Sequence, residues 1–154
     1  MPAELRTEPF PGVGPQAPLL APSAADTQPF HRGLGEGRLM LQRCERCERA
    51  RYPPAPVCPY CTAAEHRWLQ FDGLGTVHSW VRYLRAFHPS FASLVPYVVV
   101  SVALDAGPRM FGRLLGGDSP EIGSPAKMLV ERWEDGGCAP AFETCEEEAC
   151  DRPS

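Results

Sequence analysis

Two C-x-x-C pairs, Cys44-Glu45-Arg46-Cys47 and Cys58-Pro59-Tyr60-Cys61, constrain this chain more than any other feature, with ten residues between them. Each pair can turn two sulfurs toward one point. Two such knuckles at the ends of a short hairpin close a tetrahedron around one ion. Four thiolates suit zinc, with Zn–S near ~2.3 Å, and leave no open position for a substrate. A closed site of this kind stabilises a fold and performs no chemistry. The stretch Arg51-Tyr52-Pro53-Pro54-Ala55-Pro56-Val57 between the pairs is too proline-rich for a helix and is expected to be extended. Four thiolates and Zn²⁺ sum to a formal −2, which Arg43, Arg46, Arg49 and Arg51 are placed to offset.

The alternative to metal binding is a disulfide framework. The chain has seven cysteines, an odd number, and its N-terminus lacks the basic start and apolar stretch of a signal peptide. Thiols of a cytoplasmic protein stay reduced, so metal ligation is the better reading of the four paired cysteines. Cys138, Cys145 and Cys150 have no role that the sequence assigns. Iron is the rival occupant of four thiolates. Rubredoxin-type iron sites separate their knuckles by a longer insert and carry Gly after each, where this chain has Glu48 and Thr62.

The 18 Pro and 14 Gly among 154 residues exclude a long helical bundle or coiled coil, while 44% apolar residues suffice for a modest core. The strongest apolar run, Tyr97 to Val100, falls far short of a membrane span. A soluble, cytoplasmic protein is therefore expected. Residues 1–28, with Pro at 2, 9, 11, 15, 18 and 22, are expected to be a disordered tail. Residues 29–42 are expected to form a helical hook: Phe30 and Leu34 are four apart, as on one helix face, although Gly33, Gly35 and Gly37 weaken the pattern. An extended Leu39–Gln42 leads into the ribbon, residues 43–67. Residues 68–142 give short β signals at 76–83, 97–104, 109–115, 127–133 and 139–142, separated by turns such as Asp105-Ala106-Gly107-Pro108 and Glu134-Asp135-Gly136-Gly137. Five short strands with a turn every ten or so residues indicate a small barrel or sandwich. Residues 143–154 are an acidic tail, expected to fray.

Several runs occur together in a familiar order: Phe30…Gly33-Leu34…Gly37-Arg38-Leu39…Leu41-Gln42-Arg43-Cys44, Arg51-Tyr52-Pro53-Pro54-x-Pro56-Val57-Cys58-Pro59-x-Cys61, Gly73-x-Gly75-Thr76-Val77-x-Ser79-Trp80, Pro96-Tyr97-Val98-Val99 and Leu104-Asp105-x-Gly107-Pro108-Arg109. Over residues 29–142 the chain resembles the family known as domain of unknown function 35. The resemblance implies a mainly β fold with an N-terminal helical hook, a four-cysteine rubredoxin-like zinc ribbon and a five-stranded OB-fold barrel. It further implies a non-catalytic accessory subunit. Such subunits sit beside a thiolase-like enzyme (an aldolase, thiolase or acyltransferase) and help to form its acyl-CoA site. A heterotetramer, two such subunits on a thiolase-type dimer, is the implied assembly. The chain departs from the family pattern at His31, where an aromatic often follows the Phe, and at Glu48, where Gly is usual and a left-handed backbone is common.

A search for catalytic groups within the chain finds weak candidates. Cys138 after Gly136-Gly137 reads as a small apolar residue at a strand start. His66 lies near the ribbon, but four cysteines already fill a metal site. His78 and His88 lack a partner nucleophile in the pattern. Arg46, Arg49, Arg51, Arg82 and Arg85 suit phosphate oxygens, and serve equally as solvated surface or zinc-site charge balance. Phe87, Phe91 and Tyr97 can line a groove or partner surface, with core packing the better reading for Tyr97. The alternative function is nucleic-acid binding, by analogy with OB barrels that stack bases on aromatics such as Trp80 and Tyr83. Against it, the net charge is −4, and six basic residues meet six acidic ones between Thr76 and Phe142.

Overall fold

The computed structural model describes residues 7–9, 27–133, 136–145 and 150. In chain order its elements are β1 (Thr7–Pro9), α1 (Gln28–Gly35), β2 (Leu39–Cys44), β3 (Ala50–Arg51), β4 (His66–Phe71), β5 (Leu74–Tyr83), β6 (Tyr97–Leu104), β7 (Arg109–Leu114), β8 (Pro125–Arg132) and β9 (Cys138–Thr144). Among the described residues no helix is long and apolar enough to cross a membrane.

The hook is the two-turn helix α1. Pro29 stands in its first turn, where a missing N–H costs nothing. Phe30 and Leu34 are both buried, as their spacing implies. Gly33, expected to weaken the helix, is instead a contact point. A Cβ there would lie 2.5 Å from Met40 Cγ and 2.9 Å from the Arg38 carbonyl, so only glycine lets α1 lie this close to β2. Gly37 ends the helix at φ +71°. The Arg38 N–H bonds the Gly33 carbonyl at 2.7 Å and the Gly37 N–H bonds that of Leu34 at 3.0 Å, the paired closure of a Schellman motif.

The ribbon is a three-stranded antiparallel sheet in the order β3-β2-β4, with Cys44 opposite His66 and Leu39 opposite Phe71. The expected ribbon–barrel boundary at 67/68 therefore falls inside β4, whose partner is β2. Only Asp72 and Gly73 join it to β5, and the Asp72 carboxylate accepts the Leu74 N–H at 3.0 Å.

The remaining strands close the expected five-stranded barrel in the order β8-β5-β6-β7-β9, completed by β8 against β9. All pairs are antiparallel except β7 with β9. β5 pairs with β8 only over Leu74–Thr76, then shifts register between Val77 and Ser79 and leaves. β5 starts at Leu74, opposite Lys127, so it does not reach Val130–Arg132 and leaves that edge of β8 open. β1 fills that edge in parallel, so part of the expected disordered tail is strand. The rest of that tail, the turn residues Glu134 and Asp135, and most of the acidic tail lie outside the described residues. β9 runs on to Thr144, and Cys145 pairs with Cys150 as a disulfide, contrary to the expectation of reduced thiols throughout. It spans five residues and so closes a local loop rather than framing the fold.

One core serves all three parts. Phe30 and Leu34 of α1 and Leu39 and Leu41 of β2 pack in the same cluster as Val100, Met128 and Phe142 of the barrel. Arg132 of β8 also reaches back to the Gly35 carbonyl at the end of α1.

Candidate metal centre and aromatic cleft

The two knuckles repeat one another bond for bond. Glu48 N–H bonds the Cys44 carbonyl at 3.0 Å and Thr62 N–H bonds that of Cys58 at 2.9 Å. Cys44 N–H then bonds the Arg49 carbonyl at 3.0 Å and Cys58 N–H that of Ala63 at 2.8 Å. Each loop turns on one left-handed residue, Glu48 at φ +58° and Thr62 at φ +62°. The strain expected at Glu48 is therefore present, and Thr62 shares it.

The result brings Cys44, Cys47, Cys58 and Cys61 together, with all four sulfurs within 4.8 Å of one another. Cys44 Sγ is 3.5 Å from Cys61 Sγ, and Cys47 Sγ is 3.6 Å from Cys58 Sγ. A tetrahedron with ~2.3 Å zinc–sulfur bonds has edges of ~3.8 Å, so the group is already near the size that zinc requires. The loops also favour thiolates. The Cys47 backbone N–H, foremost, holds the Cys44 thiol below its usual range. Burial opposes ionisation of Cys58, but N–H groups of Tyr60 and Cys61 and the neighbouring thiols bring it down to about 6. At Cys61 the Ala63 N–H pulls downward, yet burial and the other three sulfurs push it up to about 11. Four thiolates cannot share so small a volume without a cation, and their donor chemistry fits structural zinc.

The flanking groups are committed elsewhere. His66 stays out of the cluster: the Gln42 amide nitrogen contacts its Nε2 at 3.1 Å, and its Nδ1 lies 3.0 Å from the Ala64 carbonyl. Because that amide nitrogen can only donate, the proton sits on Nδ1. The expected ring of arginines divides. Arg43 pairs with Glu48 at 3.7 Å, and Arg49 lies over the Tyr60 ring, 4.8 Å from its centroid. Arg51 is buried, and its Nε donates to Gln42 Oε1 at 2.7 Å. The two terminal nitrogens of Arg51 meet no acceptor among the described residues.

A second feature lies on the outer face of the barrel. A cleft of about 540 Å³ is walled by Tyr83, Phe87, Phe91, Tyr97, Phe111 and Trp133. Its aromatics brace one another. Tyr83 stacks on its cross-strand partner Tyr97 at 5.0 Å and 11°, Phe87 meets Tyr83 edge-on at 5.8 Å, and Phe91 leans on Tyr97 at 5.6 Å. Phe91 and Leu94 also pack on Trp133, which pins the loop between β5 and β6. Tyr97 thus belongs to the cleft, not to the barrel core that the sequence suggested, because it starts β6 where the hairpin extends past the barrel. The polar lining centres on Arg113 and Glu131, whose side chains are 17% and 4% exposed. Arg113 Nε donates to Glu131 Oε1 at 2.9 Å, and Nη2 reaches the same oxygen. Burial pushes the Glu131 carboxyl up, and Arg113 only partly restores it. No local pattern in the sequence marks Phe111, Arg113, Glu131 and Trp133 as a group. Arg82, a candidate for phosphate, is held by the Asp118 carbonyl at 2.6 Å and carboxylate at 3.0 Å. Cys138 is half-buried at the start of β9, with its thiol pushed up by burial.

Residues 31–67 match the ChsH2 rubredoxin-like zinc ribbon domain, and residues 68–131 match the ChsH2 C-terminal OB-fold domain. A solved structure described as "Ltp2-ChsH2(DUF35) aldolase" is 30% identical, with a TM-score of 0.70, over 80% of this chain and 97% of that one. The chain belongs to the ChsH2 (DUF35) family. A DUF35 family protein of unknown function from Sulfolobus solfataricus, 12% identical with a TM-score of 0.59 over 82% of this chain and 90% of that one, shares the fold. No curated protein matches. Membership in the ChsH2 family decides the metal question between zinc and iron, because its ribbon domain is a zinc ribbon and the four cysteines fit it.

Proposed function

We propose that this chain is a zinc-stabilised accessory subunit of a thiolase-like aldolase or a related acyl-CoA enzyme. The observation that carries this is the 30% identity along nearly the whole length of a chain solved in an Ltp2–ChsH2(DUF35) aldolase. In this reading Cys44, Cys47, Cys58 and Cys61 hold one structural zinc. The chain is non-catalytic on its own, and the partner supplies the groups that break or form the carbon–carbon bond. The subunit helps to form the acyl-CoA site, two copies sit on one thiolase-type dimer as a heterotetramer, and the complex is cytoplasmic. The single shared core supports a scaffold role: the zinc ribbon, hook and barrel are one rigid frame against which a partner can dock.

The test is affinity capture of the tagged chain from its native host, with metal analysis on the same sample. Recovery of a thiolase-like enzyme in equal amount, with about one zinc per chain, is expected. Recovery of RNA or DNA with no such enzyme would overturn the proposal in favour of nucleic-acid binding.

A further inference from the structure

The outer cleft has a chemistry of its own. Its volume, about 540 Å³, falls in the range of small-molecule sites, roughly 300–1,000 Å³. The walls are apolar and pre-formed, since the rings that line them already pack against one another. The charges within it cancel, because Arg113 and Glu131 are paired side by side. A charged ligand would lose its hydration there and meet no net opposite charge in return. A neutral ligand keeps the apolar gain and finds a polar edge at the ion pair to fix its orientation. Phosphate-bearing molecules are the poorest fit, because Arg113 is committed to Glu131 and the nearby Arg82 to Asp118.

We propose that this cleft binds a neutral, largely apolar small molecule carrying a hydrogen-bonding oxygen. The inference deepens the accessory-subunit reading and rests on it for the source of the ligand: the acyl end of a CoA thioester has this chemistry and the phosphorylated nucleotide end does not. Phe87 and Phe111, 79% and 61% exposed, form the accessible rim, while Tyr83, Tyr97 and Trp133 form the fixed walls.

The test uses the full zinc-loaded chain. The neutral fluorophore N-phenyl-1-naphthylamine serves as probe and S-octanoyl-N-acetylcysteamine, an acyl thioester without nucleotide, as competitor. Saturable binding of one probe per chain is expected, with displacement by the thioester but not by free coenzyme A. Ala139→Leu, which fills the cleft beside Trp133, is expected to weaken probe binding about tenfold or more. Phe87→Ser removes an exposed rim ring, so it weakens binding without touching the core. Zinc content and melting temperature report whether either variant is misfolded. Non-saturable binding, wild-type binding in both variants, or displacement by free coenzyme A would overturn the proposal. So would displacement by the purified aldolase partner alone, which would make the cleft a protein interface. A chain that captures the aldolase but binds no probe refutes this inference only. A chain that binds the probe but captures no aldolase refutes the accessory reading and leaves the cleft standing.

Discussion

Thr62→Gly should make the zinc-loaded protein more stable, although Thr62 is an ordinary-looking surface residue. Its φ of +62° is left-handed, and an L residue there costs about 1–2 kcal/mol. A β-branched side chain belongs at the upper end of that range. The substitution removes this cost and adds about 0.5–1 kcal/mol of unfolded-state entropy, the usual penalty of glycine. The Oγ1 bond to the Cys61 carbonyl, 2.7 Å and exposed, is also lost, but water replaces it. The balance is about 0.5–1 kcal/mol in favour of glycine. Because ribbon folding and metal binding are one equilibrium, this should appear as zinc affinity raised about twofold to fivefold. Competition against a chromophoric chelator at neutral pH reads it directly, with thermal unfolding as the second measure. Thr62→Ala is the control: it keeps the Cβ and the strain, so no gain is expected. If Thr62→Gly bound zinc no more tightly than Thr62→Ala, strain at the knuckle would not be the controlling term, and the argument for Glu48 at φ +58° would go with it.

Cys44→Ser should release the metal and unfold the ribbon, since structural zinc supplies about 10–16 kcal/mol in small ribbons and fingers; retention of one zinc per chain with an unchanged melting temperature would contradict this. Two helical glycines should respond with opposite signs. Gly35→Ala faces open space and should stabilise by about 0.5–1 kcal/mol, whereas Gly33→Ala drives a Cβ into Met40 and the Arg38 carbonyl and should cost about 1–3 kcal/mol, both read by urea unfolding. For Glu131 the folded state holds the proton more tightly than the unfolded state, because burial outweighs Arg113. Its contribution to stability is therefore complete below the unfolded value of about 4.3 and is lost as pH rises through the raised folded value. The stability of the wild type relative to Glu131→Gln should fall as pH is raised across that window; a flat difference would refute the assignment. Acid release of zinc affects both proteins and cancels in the difference.

The metal centre was legible in the sequence because thiolate ligation demands particular residue types at fixed spacing, and nothing else in the chain had to be known. The β6 limits were equally legible, since Tyr97–Leu104 is a β-branched run bounded by turn residues. What failed was whatever depends on a distant partner. Gly33 reads as a helix breaker until Met40 and Arg38 are brought against it. The cleft is the extreme case. Glu131 and Arg113 lie 18 residues apart on β8 and β7, which are not hydrogen-bonded neighbours but both flank β9. Before barrel closure Glu131 is one acid in a balanced charge count.

Sharing of one core sets how zinc acts on the rest of the molecule. Leu39 and Leu41 belong to β2, the strand that delivers Cys44, yet both are fully buried against barrel residues. Losing zinc would free the knuckles, and with them the end of β2 that holds these side chains in register with β4. Each exposed leucine would then forfeit about 1.5–3 kcal/mol of burial, and the barrel would lose one wall of its core. A ribbon hung on an independent barrel would melt in two steps, ribbon first. This chain should instead unfold in one transition that moves with zinc concentration, as binding linkage requires. Tryptophan fluorescence follows the two parts separately, because Trp68 lies on β4 and Trp133 beyond β8. In a Trp80→Phe background, so that each protein keeps one tryptophan, coincident curves for Trp68→Phe and Trp133→Phe proteins are expected, and a zinc-sensitive step seen only by Trp68 would show that the ribbon is not part of the barrel's cooperative unit.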